Sequence, residues 1–259
     1  MDPLQCAIDT AKAAGDLLLA RIGMPLETRE KGLRGDLVTA SDRASEALIV
    51  ARLRAAFPHA AILGEEGGAT AGTSDERWIA DPLDGTTNYA HNYPMYCVSI
   101  AYERAGELVA GAIYAPALGE LYAAQRGRGA TLNGKRIVVS ETATIAQSLV
   151  CTGFLPAHYD RNGEHFARLS RRAQAVRRDG SAALDLAFVA AGRFDAFWEL
   201  DLHAWDVAAG ALLVREAGGV VTAVDGSAFD VADASILASN GVVHAEVRAA
   251  LVSRAPEAS

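Results

Sequence analysis

Cysteine is scarce and unpatterned in this chain. Cys6, Cys97 and Cys151 are odd in number, far apart and without CxxC spacing, which argues against a disulfide framework and a zinc site and fits a reducing cytoplasm. Aromatic residues make up only 7% of the sequence. Positive charge is in deficit: 24 Lys+Arg stand against 32 Asp+Glu, for a formal net charge of -8. A surface that holds nucleic acid by neutralising phosphates is therefore not expected, and the one basic run, "RLSRRAQAVRR", reads as the solvated face of a helix leading into a strand. No apolar run reaches the roughly 20 residues of a membrane span. The nearest candidate is cut by Pro116 and bordered by Glu107 and Glu120. The opening Met1-Asp2-Pro3 lacks a basic leader, and Leu4, Ile8, Ala11, Leu18 and Ile22 recur at helical spacing, so this stretch reads as an amphipathic helix of the fold. Internal repeats, low-complexity tracts and long linkers are also missing, and the final "SRAPEAS" reads as a frayed tail.

What is present is ordinary globular material, 51% apolar and 22% charged over 259 residues, enough for one large domain or two closely packed halves. Helical patterns cover residues 4–22 and about 42–57, the second with a start signal in Thr39-x-x-Asp42. A polar loop, "PLETREKGLRGDLVT", separates them. Beyond "DPLDGTT" come four strand-like segments, "YCVSIAYE", "ELVAGAIYAP", "ELYAAQR" and "TLNGKRIVV", with a hairpin signal at Asn133-Gly134. They predict an antiparallel sheet. From about residue 146 the pattern changes to strands alternating with helices, which favours layered α/β packing. The expected division is an N-terminal α+β half over 1–145 and a C-terminal α/β half over 146–259.

The informative stretch is "WIADPLDGTTNYAHNYP". A buried-strand pattern, Trp78-Ile79-Ala80, runs into Asp81, Pro82, Asp84 and Gly85. A turn leaving the core explains the proline and glycine. It does not explain two acids so close together, followed by threonines. Other carboxylates stand at similar places: Glu65 and Glu66 in "ILGEEGG", Asp42 in "LVTASD" and Asp206 directly after Trp205. Each has a plain structural reading, a solvated loop for the glutamates and a helix N-cap for Asp42 and Asp206. Brought together, they offer the hard oxygen ligands that Mg²⁺ takes, with substrate phosphate completing its shell. A bound cation would also remove their mutual repulsion.

"GEE", "DPLDGTTN" and "HAWDVAAGALLVREAGG", together with "KGLRGDLVTASD" and "RRDGSAALDLAFVAAGRFDAFWE", resemble in this order the motif segments of the inositol monophosphatase family, nearly end to end. The resemblance implies a layered αβαβα sandwich of the inositol monophosphatase and fructose-bisphosphatase type. It implies two or three Mg²⁺ ions, the first held by Glu65, Asp81, the Leu83 carbonyl and the Thr86 hydroxyl, the second by Asp81, Asp84 and Asp206. Gly85 and Thr86 would present backbone N–H groups to phosphate. Asp42, accepting from the Thr86 hydroxyl, would help to orient the attacking water, so that Asp42, Thr86 and Glu65 form the catalytic set. Lys31 matches a loop lysine near the metals. The polyol pocket would be lined by Ser181, Ala182 and Glu199, Glu199 otherwise reading as a strand-end residue. His91 and His203 flank acidic motifs, and His203, without a second histidine at ligand spacing, reads as structural.

By this resemblance the expected reaction is hydrolysis of inositol 1-phosphate by activated water, inhibited by lithium at the second metal position. Histidinol phosphate, fructose 1,6-bisphosphate and 3′-phosphoadenosine 5′-phosphate remain open as substrates. So does a role as a protein-binding factor of the transcription machinery. A cytoplasmic homodimer, away from membranes, is the expected setting.

Overall fold

In the computed structural model, which describes residues 1–24, 29–30, 37–233 and 235–252, the chain opens with α1 (Pro3–Arg21). Its start is set by the Asp2 carboxylate, which accepts from the Leu4 N–H at 3.3 Å, and by Pro3 in the first turn. The polar loop expected between the first two helices contains two short strands, β1 (Arg29–Glu30) and β2 (Leu37–Val38), paired antiparallel. A two-residue ladder carries no apolar alternation, so the sequence gives no sign of it. Lys31 lies outside the described residues.

The chain continues through α2 (Ala40–Ala56), β3 (Ala61–Gly64), β4 (Gly68–Thr70), β5 (Glu76–Asp84) and the short α3 (Thr86–Ala90). A run of hairpins follows: β6 (Cys97–Arg104), β7 (Glu107–Ala115), β8 (Glu120–Gln125), β9 (Gly129–Leu132) and β10 (Lys135–Ile137). These strands form one eight-stranded sheet in the order β10-β9-β8-β7-β6-β5-β3-β4. It is antiparallel except for β3 beside β5. The last expected segment, "TLNGKRIVV", is itself a hairpin, with Asn133 and Gly134 both at positive φ.

Next come β11 (Leu149–Thr152), α4 (Tyr159–Ser170), β12 (Ala175–Arg177), α5 (Ala182–Ala190), β13 (Ala196–Leu200), α6 (Ala204–Glu216), β14 (Val220–Thr222), β15 (Ser235–Ser239) and α7 (His244–Val252). Their strands make a five-stranded mixed sheet, β12-β11-β13-β15-β14. Contacts between elements stack the molecule into five layers. Helices α1 and α2 cover one face of the large sheet, α5 and α6 lie between the sheets, and α4 and α7 cover the far face of the small one.

The middle layer explains its sequence. Every residue of α5 is buried, which suits a helix packed on both sides and accounts for a near-continuous apolar run. Burial of each large side chain there contributes roughly 1.5–3 kcal/mol. Helix α6 is buried from Val207 to Val214, and a Cβ at Gly210 would stand 2.5 Å from that of Leu186 in α5. The two helices meet at this glycine. One core cluster accordingly joins residues of both sheets, from Ile79 and Ile113 to Phe197 and Ile236. Among the described residues no helix is long and apolar enough to cross a membrane, and Cys6, Cys97 and Cys151 are buried free thiols.

Candidate metal and phosphate site

The end of β5 answers the question raised by its two acids. Up to Asp81, β5 pairs regularly with β6, Trp78 opposite Tyr102 and Asp81 opposite Ser99. The register then shifts before Asp84 meets Cys97. Pro82 stands in this irregularity, where a residue without an N–H does least harm. The Leu83 N–H donates to Asp81 Oδ1 at 2.9 Å, closing a local turn, and Ser45 Oγ from α2 donates to the Pro82 carbonyl at 2.7 Å. Gly85 has φ +93°, and a Cβ there would come within 2.8 Å of the Met95 carbonyl, so the position requires glycine. Asp81 is almost wholly buried, with an exposure of 2%.

Asp42 lies in the third position of α2. It is not the N-cap expected from its plain structural reading, because Thr39 takes that place and Asp42 closes the capping box. Its Oδ2 accepts from the Thr39 N–H at 2.8 Å and hydroxyl at 2.5 Å, which leaves Oδ1 to accept from the Thr86 hydroxyl at 3.0 Å. The Leu83 carbonyl lies 3.1 Å from the same hydroxyl. Asp206 likewise occupies the third position of α6, accepting from the His203 N–H at 2.6 Å. Glu65 follows β3 directly, in a turn that α2 holds through Glu46 Oε1, which accepts from the N–H groups of Glu66 and Gly67 at 3.1 and 3.0 Å.

Burial and the crowding of acids raise the proton affinity of Asp81 and Asp84. Burial, then the charges of Glu65, Asp84 and Asp206, push the Asp81 carboxyl well above the usual carboxylate range. Burial and Asp206 push Asp84 up to about 7, against hydrogen bonds to its Oδ2 from the Ser181 hydroxyl at 2.8 Å and the Ala183 N–H at 2.7 Å. Among the described residues, no three of Glu65, Asp81, Asp84 and Asp206 bring ligand atoms within 4.8 Å of one another. The set is open and anionic, all oxygen. It can neutralise and position a cation, or a pair of cations sharing Asp81, of the hard oxygen-binding kind.

A cleft of about 640 Å³ opens in front of them, lined by Glu65, Asp84 and Asp206 together with Ala182, Arg178 and Glu199. Glu199, in β13, is 9% exposed. Burial, then Asp185, Asp206 and Asp84, raise its pKa well above the ordinary value, against Arg178. Ser181 is fully buried beneath this wall, its hydroxyl given to Asp84, so of the expected pocket pair only Ala182 faces the cleft. His203 stands at the rim with its ring stacked on Trp205 at 4.7 Å. His91 is exposed at the end of α3.

The model of the inositol monophosphatase family matches residues 2–257. The chain belongs to this family. It is 44% identical over 255 residues to the inositol-1-monophosphatase of Synechocystis sp., covering 96% of this chain and 88% of that protein. It is 44% identical over 247 residues to the Nus factor SuhB of Pseudomonas aeruginosa, covering 92% and 91%. The solved inositol monophosphatase of Anabaena matches with a TM-score of 0.87 at 42% identity, covering 98% of this chain and 96% of that one. This inositol monophosphatase family member is a phosphoric monoester hydrolase of metal-dependent type.

Two features of the family member's cleft escaped the reading of its sequence. Asn88 Nδ2 donates both to the Met95 carbonyl at 2.6 Å and to the Asp179 carbonyl at 2.7 Å, tying α3 to the segment that leads into α5. The "TTN" triplet marks the residue, but nothing in the chain order reveals a partner 91 positions away. Arg178 comes from the basic run read as solvated. Its guanidinium is exposed yet lies over the Phe154 ring at 4.5 Å and lines the cleft, a placement that only the return of β12 toward α5 creates.

Proposed function

We propose that this phosphatase hydrolyses inositol 1-phosphate to inositol and phosphate with Mg²⁺ as its cation, two or three ions being used. The observation that carries the reading is the gathering of Glu65, Asp81, Asp84 and Asp206 beside the Thr86–Asp42 hydrogen bond. The donor set fits the ion: it is all oxygen and rich in carboxylates, and the pKa values of Asp81 and Asp84 are raised, as those of acids awaiting a counter-charge would be. Glu65, Asp81, Asp84, Asp206 and the Leu83 carbonyl would hold it. When bound, Mg²⁺ supplies positive charge for phosphate and leaving oxygen and lowers the pKa of water.

The chain's own residues do the positioning, which is most of what phosphate monoester hydrolysis asks of a protein. Asp42, fixed by Thr39, orients the Thr86 hydroxyl so that its oxygen is presented to an attacking water. Gly85 lets the backbone turn so that the first N–H groups of α3, which have no partner within the helix, face phosphate. Across the cleft, Glu199 and Ala182 receive the alcohol portion, a carboxylate suiting vicinal hydroxyls. In this division residues 1–145 carry most cation ligands, and residues 146–259 carry Asp206 and the pocket.

The test is Mg²⁺-dependent phosphate release by the purified protein over inositol 1-phosphate, histidinol phosphate, fructose 1,6-bisphosphate and 3′-phosphoadenosine 5′-phosphate. Preference for inositol 1-phosphate is the expected result; preference for another substrate reassigns the pocket. A second reading is favoured by the similarity to a protein named Nus factor: association with transcription machinery in the cytoplasm. No release across the panel, together with specific retention of a transcription protein, would support that reading alone.

A further inference from the structure

Behind the Glu199 wall lies a constellation that the proposed reaction does not use. Cys151 stands in β11, Asp179 between β12 and α5, and Asp185 in the first turn of α5. The Cys151 sulfur and one carboxylate oxygen from each aspartate all lie within 4.8 Å of one another. Cys151 and Asp185 both have 0% exposure. Neither carboxylate oxygen of Asp185 meets a donor at hydrogen-bond distance, and the group that faces it and lowers its pKa is the Cys151 thiol. The N-terminal Ala183 N–H of the same helix is already given to Asp84. An ionised carboxylate so placed costs several kcal/mol unless a proton or a cation neutralises it.

We propose that Cys151, Asp179 and Asp185 form a second cation site, fitted to a thiophilic divalent ion of the Zn²⁺ type. The thiol decides the class of ion. An all-oxygen set such as Glu65, Asp81, Asp84 and Asp206 suits Mg²⁺, whereas a thiolate favours zinc and its neighbours over hard cations. Zn–S and Zn–O bonds of about 2.3 and 2.1 Å in a tetrahedron put sulfur and oxygen about 3.5 Å apart. The three ligand atoms, all within 4.8 Å of one another, therefore need to close by little more than about an ångström at most. Asp179 also lines the cleft, which gives the ion a way in and leaves its fourth position to water. Without the ion, burial pushes the Cys151 thiol and the Asp185 carboxyl far above their ordinary values. Binding therefore releases their protons to solvent as ligand bonds form. The site is silent in chain order because its ligands come from three separate elements.

Cobalt(II) distinguishes this site from the all-oxygen acids, because only a thiolate ligand gives an intense sulfur-to-metal charge-transfer band in the near ultraviolet. Chelator-stripped full-length protein is titrated with Co²⁺ and then with Zn²⁺. The expected result is a saturable band that Zn²⁺ removes. It should persist in Cys97→Ser, the other thiol near the acids, and in Asp81→Asn, and vanish in Cys151→Ser. Asp185→Asn should raise the Co²⁺ concentration needed for half-saturation by at least about tenfold, and it keeps the test decisive if Cys151→Ser does not fold. A natively folded wild-type protein without the band, or a band that survives in Cys151→Ser, overturns the proposal and leaves Asp185 a buried acid neutralised by its own proton.

Discussion

Buried acids stand on both walls of the cleft, but at the end of β5 they sit in an irregular backbone and at the end of β13 in a regular strand and helix. The first wall has a register shift, a proline, a turn closed by Asp81 and a glycine at φ +93°. Asp81 is placed by a local hydrogen bond from the Leu83 N–H, and Asp84 by the Ser181 hydroxyl and Ala183 N–H brought up from the start of α5. The second wall continues a regular strand, with Glu199 opposite Ile236 in β15. Its acids are held by what surrounds them: Glu199 and Asp185 are enclosed by α5, β11 and the small sheet, and their pKa values rise mainly from lost solvation. A turn fixes a carboxylate in direction, which is what cation ligation and an in-line attack require. Burial fixes a carboxylate in energy, which makes it sensitive to the hydroxyl partners that a substrate brings.

The largest expected effect tests the irregular wall. Asp81→Asn keeps shape and removes the charge that both proposed cation positions share, so turnover at saturating Mg²⁺ should fall by more than about a hundredfold. The loss should be the same for inositol 1-phosphate and for a small aryl phosphate; near-normal turnover would remove Asp81 from the ligand set. Next comes the tie between the walls. Asn88→Asp sets a carboxylate against the Met95 and Asp179 carbonyls in place of a donor, leaving two part-buried acceptors unpaired beside a like partial charge at a cost of about 1–3 kcal/mol. We expect kcat/KM to fall by roughly tenfold or more and thermal stability to drop; unchanged values for both would show that the tie carries no force.

Much of the first wall is legible in the sequence because its cause is local. Pro82, Asp84-Gly85 and the Thr39-x-x-Asp42 box each announce a turn or a helix start, and α1, α2 and the hairpins of the large sheet follow from periodicity. The second wall is less legible. Asp185 reads as one polar residue in an apolar helix, and Arg178 as one of several solvated arginines, because burial and enclosure come from elements far apart in the chain. The helix-cap reading of Asp42 and Asp206 is off by three residues, a local matter: Thr39 and His203 take the cap, and the acids fold back on its N–H.

Two smaller effects sharpen the contrast. Lithium should slow phosphate release beyond a sodium control at equal ionic strength, and Asp206→Asn should change that response, since Asp81, Asp84 and Asp206 offer a small-cation site where a single charge stabilises the leaving oxygen less. Coincident lithium and sodium curves would contradict the second position. The last effect is on stability. Asp84 has a folded-state pKa raised to about 7 from 3.8, so between those values the folded protein binds more protons than the unfolded chain, and raising the pH destabilises it. In chelator, the melting temperature of Asp84→Asn should therefore gain on wild type as pH rises from 5 to 8, and Mg²⁺ should reverse the gain. A gap that does not change with pH would show that Asp84 is not held protonated by its neighbours.

The division of labour between the walls is tested most directly by the kinetics of Glu199→Gln on two substrates, inositol 1-phosphate and a small aryl phosphate without hydroxyls. We expect kcat/KM to fall by roughly tenfold or more for the inositol ester and little for the aryl ester, because only the former presents hydroxyls to that carboxylate. Equal losses on the two substrates would contradict it and place Glu199 in the structural support of the cleft.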